Sequence, residues 1–188
     1  MQENVEEKTT PPHRSTKQKS FFSSKHHEPQ LLYEPNAPDY RCPEIQQSLF
    51  DKLAVDASLS TYMSVLTHVE SVLTMVNNSQ IEHPFTMFVP INAAFANEFM
   101  TTDQDMESRL ETFLKNHIVP QEKLSVQQLQ KTQTLNTLLQ DETIQVKYHF
   151  FSRRVELNGI AEVDTDHPIS ANNGIAYKIN KLLHPIKP

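Results

Sequence analysis

Glycine occurs only twice in this 188-residue chain, at 159 and 174, and each follows an asparagine. That scarcity excludes whole classes of protein. Loops that cradle phosphate need several glycines close together, so that backbone N–H groups can approach the ligand. A P-loop and a dinucleotide fingerprint are therefore impossible here, and the glycine-flanked serine elbow of many hydrolases is equally absent. Both Asn-Gly pairs lie between strand-like runs. Tight two-residue hairpins often require positive φ at both central positions, which Asn-Gly tolerates best. Asn158-Gly159 and Asn173-Gly174 are accordingly read as hairpin turns. After the second, Ile175, Tyr177 and Ile179 share one face of a strand, while Ala176, Lys178 and Asn180 share the other.

The first half of the globular part has helical periodicity. Ile45, Leu49 and Leu53 recur every four residues. Leu59, Tyr62, Met63, Leu66, Val69, Leu73 and Val76 form a longer stripe at helical spacing, read as one helix that ends at Asn77-Asn78. Phe85–Val89 predicts a short buried strand, halted by Pro90, which has no N–H for the ladder. Asn92 is placed to cap a short helix running from Ala93, accepting from the Phe95 amide. A helix is predicted over 104–118, with Met106, Leu110, Phe113, Leu114 and His117 on one stripe. Ser125 and Gln128 have capping-box spacing. The period then changes to two: Ile144, Val146, Tyr148 and Phe150 alternate with Gln145, Lys147 and His149, as in a half-buried strand. Helices first and strands afterwards predict an α+β domain.

Residues 1–38 are polar and rich in Pro, Ser, Thr and Lys, and bury too little apolar surface to offset their ordering entropy. They are read as a disordered basic tail, with the domain spanning 39–188. Residues 1–27 carry five basic and three acidic groups, which leaves −8 on the remainder of a chain whose net charge is −6. That balance gives no support to a nucleic-acid partner. The one cysteine, Cys42, cannot form an intrachain disulfide. No apolar run approaches the ~20 residues of a membrane helix. The N-terminal stretch lacks the apolar core of a signal peptide, so the expectation from that end is a chain without a readable export signal.

Three stretches in order resemble the fasciclin-like domain family. "TMFVPINAAF", Thr86 to Phe95, resembles its first motif, with Ile91 where the family usually has Thr. "LKNHIVP", Leu114 to Pro120, resembles the central motif, with His117 kept and Asn116 replacing the usual Tyr. "ISANNGIAYKINKLLHP", Ile169 to Pro185, resembles the terminal motif, with Tyr177 near the place of the usual His. "LFDKLAVDASLSTYMSVL" is similar to the opening helices. The resemblance covers Tyr40 to Pro188 and implies a β-sandwich-like wedge flanked by several helices. It also implies a non-enzymatic, adhesion-type domain that binds a protein or glycan partner by surface recognition, without a cofactor. The family acts mainly outside cells; single-domain members occur in fungi, vacuolar ones among them. The implied location is thus the secretory pathway, the vacuole lumen or the extracellular space. A cytosolic small-molecule binder or hydrolase-like protein on the same fold stays open as the alternative, given the missing export signal and nine histidines.

The residues that stand out also have plain structural readings. His117 lies on an apolar stripe, where a buried histidine bonded through both nitrogens braces a helix end. The family's Tyr-His neighbourhood is implicated in receptor contacts, which makes Asn116 and His117 candidate partner contacts alongside Asn92. Asn77 heads a glycosylation sequon, Asn77-Asn78-Ser79. His26, His27 and Glu28 lack further ligands at useful spacing, so no metal is expected. Asp103, Asp105, Glu107 and Glu111 open a helix, where its dipole favours acids over a catalytic role. Met63, Met75 and Met87 are read as core packing rather than a partner groove.

Overall fold

A computed structural model describes residues 47–96 and 106–183. The tail at 1–38, Cys42, Ile45, the His26–Glu28 run and the acids Asp103 and Asp105 lie outside them. Helix α1, Leu49–Ala54, begins at a capping box: Ser48 Oγ accepts from the Asp51 amide, and the Asp51 carboxylate accepts from the Ser48 amide. The stripe from Leu59 to Val76 is not one helix. A 3₁₀ turn at Ala57–Leu59 leads into α2, Ser60–Thr67, and α3 follows at Glu70–Asn77. The break has a local cause. The Ser64 carbonyl accepts from the side chains of Thr67 (2.8 Å) and His68 (2.6 Å). The His68 amide bonds Val65 O instead, and such side-chain competition ends helices. Val69 is then extended, at φ −120° and ψ 93°. Helix α4 runs Met106–Asn116 and α5 runs Val126–Lys131, the latter opened by the expected Ser125–Gln128 capping box.

Strand β1, Phe85–Pro90, is buried on both faces, which suits a central strand covered on each side. Phe85, Met87 and Val89 join the core beneath α1–α4. Phe88 joins a second core with Ile175, Tyr177, Ile144 and the α5 residue Leu129. Strand β8, Gly174–Ile179, lies parallel to β1 in the register Phe85↔Gly174 to Pro90↔Ile179. The remaining strands are β2 (Ile118–Val119), β3 (Thr134–Asn136), β4 (Thr143–His149), β5 (Arg154–Leu157), β6 (Ala161–Val163) and β7 (Ile169–Ser170). Their order is β2-β1-β8-β6-β5-β4-β3, with β7 also paired to β8. Just past β3, the Leu138 amide donates to Ile118 O of β2 at 2.7 Å, so the two ends of the sheet nearly meet. The outcome is the α+β architecture expected: a nearly closed, barrel-like sheet with several helices against it.

The glycines divide the work differently from the sequence expectation. Asn158 and Gly159 both have positive φ, 51° and 68°, and turn the β5–β6 hairpin. Ile160 joins them in a three-residue loop, since Leu157 pairs with Ala161. At the second site the Ala171 amide donates to Gly174 O, so the two-residue link is Asn172-Asn173 and Gly174 already belongs to β8. Gly174 has no positive φ. Its requirement is proximity: a Cβ there would stand 2.6 Å from Phe85 O and 3.2 Å from the Phe85 ring. Phe150 also departs from expectation. β4 stops at His149, and Phe150 is 75% exposed in the loop beyond it.

Candidate functional site

In the first motif, the N-cap of the 3₁₀ turn Asn92–Phe95 is Ile91, whose side chain has no acceptor. Asn92 is therefore inside the turn, and the expected bond to Phe95 does not form. Its amide serves another helix: Oδ1 accepts from the Thr61 amide at 2.9 Å, and Nδ2 donates to Ala57 O and Ser60 Oγ. The Thr61 amide is an unsatisfied donor at the start of α2, and Ala57 belongs to the 3₁₀ turn that leads into it, so Asn92 caps α2 across space. Thr86, in β1, is likewise consumed: its Oγ1 donates to Glu122 O and accepts from the Leu124 amide.

In the central motif, His117 is fully buried. Its Nδ1 lies 2.7 Å from Phe113 O and its Nε2 lies 3.1 Å from the Leu183 amide. A carbonyl partner demands N–H at Nδ1, and an amide partner demands a lone pair at Nε2, which fixes the neutral Nδ1–H tautomer. Its carbonyl also accepts from Phe88 of β1. His117 thus ties the end of α4 to β1 and to the segment after β8. Phe113 lies 4.3 Å from the imidazole centroid and 6.0 Å from the Phe95 ring, so the first and central motifs meet on one aromatic side chain. Asn116 is buried as well, and its Oδ1 accepts no hydrogen bond.

In the terminal motif, Asn173 is fully buried and joins three elements. Its Oδ1 accepts from the Leu49 amide (2.8 Å) at the start of α1, and its Nδ2 donates to Val76 O (2.7 Å) near the end of α3. Its carbonyl accepts from Phe85 at the head of β1. Tyr177 donates to Leu124 O at 2.7 Å and stacks on Phe88, and burial pushes its phenol up to about 12. Tyr62 is also buried, but its hydroxyl has no partner, and desolvation raises its pKa.

The motif residues brace the scaffold, and the open surface is formed elsewhere. A cleft of about 800 Å³ is lined by the β4–β5 loop (Ser152, Arg153), by Arg154 and Glu162, and by Asp164 and Asp166. Arg154 pairs with Glu162 at 3.2 Å. Lys178, which also lines the cleft, pairs with Asp56 at 3.1 Å. The Asp56 carboxyl is held below its usual range, first by the Ser58 hydroxyl, then by the Ser58 amide and Lys178, against an opposing desolvation effect. Among the described residues no three His, Cys, Asp or Glu side chains are grouped to hold a metal. No helix among them is long and apolar enough to cross a membrane.

The motif order and this architecture have a counterpart among known proteins: residues 57–185 match the fasciclin domain. The chain belongs to the fasciclin domain family. Stabilin-2 from Rattus norvegicus is 32% identical over 102 residues, 54% of this chain and only 7% of that protein. A solved FAS1 domain pair from the insect cell adhesion molecule fasciclin I superposes with a TM-score of 0.59 at 19% identity. The likeness covers 73% of this chain and 51% of that one. Fasciclin domains are adhesion-related protein-interaction domains, generally non-enzymatic, and typically occur in extracellular or secreted proteins.

The residues that sequence reasoning missed are Asp51, whose S-x-x-D spacing from Ser48 was a readable capping signal, and the exposed pair Phe150-Phe151. Nothing in the alternation marked where β4 would stop.

Proposed function

We propose that this fasciclin domain works as a non-enzymatic adhesion module that recognises a protein or glycan partner through its loops and hairpins. The supporting observation is that the polar groups of Asn173 and His117 face inward and are satisfied there, each fully buried. Recognition then falls to the cleft rim, where Arg153, Arg154, Asp164 and Asp166 present both charge signs to solvent. A mixed rim of this kind serves specificity and register more than raw affinity. Asn77 is exposed at the end of α3, which suits a glycan there if the chain passes through the secretory pathway. One domain has no built-in multivalency, so firm adhesion requires clustering.

The test is solid-phase adhesion. Cells seeded on the immobilised chain should attach in a saturable manner, and soluble chain should compete. Asp166→Lys should weaken attachment several-fold at an unchanged melting temperature. Attachment no better than to blocked plastic, or equal attachment to heat-denatured chain, refutes the reading.

A further inference from the structure

The β4–β5 hairpin closes through a four-residue loop, Phe150–Arg153, between the paired residues His149 and Arg154. Arg153 takes the left-handed conformation, φ 55°, that completes the turn. Two phenylalanines stand at this tip. Phe151 is fully exposed and Phe150 is 75% exposed, and their rings meet edge to face at 5.9 Å. Most large apolar side chains of the described domain are buried, so a contiguous exposed aromatic pair calls for a partner.

The setting of the pair selects that partner. From Gln145 to Val155 the chain has Lys147, His149, Arg153 and Arg154 and no acidic residue, in a protein of net charge −6. Two acids lie nearby: Glu162 pairs with Arg154, and Glu156, the cross-strand partner of Lys147, stands 3.6 Å from His149 Nε2. Asp164 and Asp166 line the same cleft as Arg153. The tip is a short hairpin loop with two exposed rings at its start, flanked in sequence by Lys147 and Arg153. A protein groove would have to be shaped to receive it, whereas a lipid interface needs no complementary shape. Aromatic rings seat at the headgroup level, and flanking basic residues are drawn to anionic lipids.

We propose that the Phe150–Arg153 tip inserts into the headgroup region of an anionic lipid surface, with Phe150 and Phe151 as wedges and Lys147 and Arg153 against the lipid charges. This goes beyond recognition of a protein or glycan partner and does not depend on it.

The experiment uses the full chain and vesicles of phosphatidylcholine, with or without phosphatidylserine. The chain has no tryptophan, so Phe151→Trp supplies a lone reporter at the tip. Its emission should shift to the blue with phosphatidylserine vesicles and return as salt is raised. Phe150→Ser with Phe151→Ser should weaken partitioning at least tenfold while melting stays unchanged, since neither ring is packed in the core. Binding to neither vesicle, equal binding to both, an unmoved tryptophan emission, or undiminished binding by the double serine variant would each overturn the proposal. The last result would assign binding to the basic residues at 8–25 instead.

Discussion

Asn173→Ala removes one side chain and strands groups in two helices. The Leu49 amide loses its acceptor at the start of α1, and Val76 O loses its donor near the end of α3. Both are among the groups a helix cannot satisfy internally. Because Asn173 is fully buried, solvent does not stand ready to replace it. Each stranded group costs about 1–3 kcal/mol, which gives roughly 2–6 kcal/mol together. For a domain of this size 1 kcal/mol moves Tm by roughly 3–5 °C, so the variant should melt roughly 6–30 °C lower. Thermal unfolding followed by circular dichroism, with urea titration in parallel, measures it. The urea midpoint should fall at an unchanged slope, as expected when stability alone has changed. Asn172→Ala is the control: Asn172 is the exposed half of the same turn and should change Tm little. Asn173→Asp separates the two bonds, because a carboxylate still accepts from Leu49 but repels Val76 O. Its deficit should shrink on acidification, when a protonated carboxyl can donate again. If Asn173→Ala melts with Asn172→Ala and the parent chain, the cross-brace contributes nothing and the reasoning fails.

The two buried tyrosines should respond oppositely to loss of their hydroxyls. Tyr177→Phe strands Leu124 O and should cost about 1–2 kcal/mol, whereas Tyr62→Phe removes an unpartnered hydroxyl and should be neutral or stabilising. Urea midpoints in the reverse order would refute this. Gly174→Ala meets backbone at 2.6 Å and should cost about 1–3 kcal/mol through overpacking. Gly159→Ala meets nothing within 4 Å and should cost only about 1–2 kcal/mol, from its positive φ. Valine widens the contrast, and equal losses for Gly174→Val and Gly159→Val would count against the close-approach reading. His117→Ala should lower stability by about 2–4 kcal/mol, because Phe113 O and the Leu183 amide both lose partners. Melting like the parent chain while a partner was lost would make it a contact residue instead. The Asp56 carboxyl has a depressed folded pKa, so its contribution is present above the unfolded pKa of about 3.9 and is lost as pH falls through the lower, folded value. Asp56→Asn should therefore flatten the acid limb of stability against pH, and an identical limb would rule out the link.

Features written in short-range patterns were legible. The Ser125–Gln128 capping box, the strand from Phe85, and the apolar stripe of α4 needed only neighbours to be recognised, although Pro90 does not halt β1: it pairs with Ile179, and the next amide, of Ile91, bonds Ile179 O. The family was legible from three motifs. What escaped was set by distant partners. The Asn-Gly spelling looked the same at 158 and 173, yet only Asn158-Gly159 has left-handed backbone. At 174 glycine is required by Phe85, 89 positions earlier, and no local rule reports that. Asn92 looked like a cap for the turn it occupies, but the residue before it lacks an acceptor, and the amide reaches α2 instead. The stripe from Leu59 to Val76 kept helical spacing through a break, because two short helices with a tight joint still point their apolar sides at one core. The alternation in β4 ran one residue too far at Phe150. Period two identifies a face, while the hairpin partner decides where pairing stops.

The parallel pairing of β1 with β8 has a bearing on how the protein is made. During synthesis α1, α2, α3 and β1 leave the ribosome long before Gly174–Ile179 exists. Until then, one ladder of β1 has no partner, the start of α1 has no Asn173, and the apolar undersides of the helices have no β8 to cover them. At about 5–20 residues per second this exposed interval lasts several seconds. Contacts so distant in sequence also slow the final closure, since loop entropy is lost before they form. The nascent domain is consequently a natural client for chaperones. A chain released before β8 emerges should aggregate rather than wait as a stable half-domain.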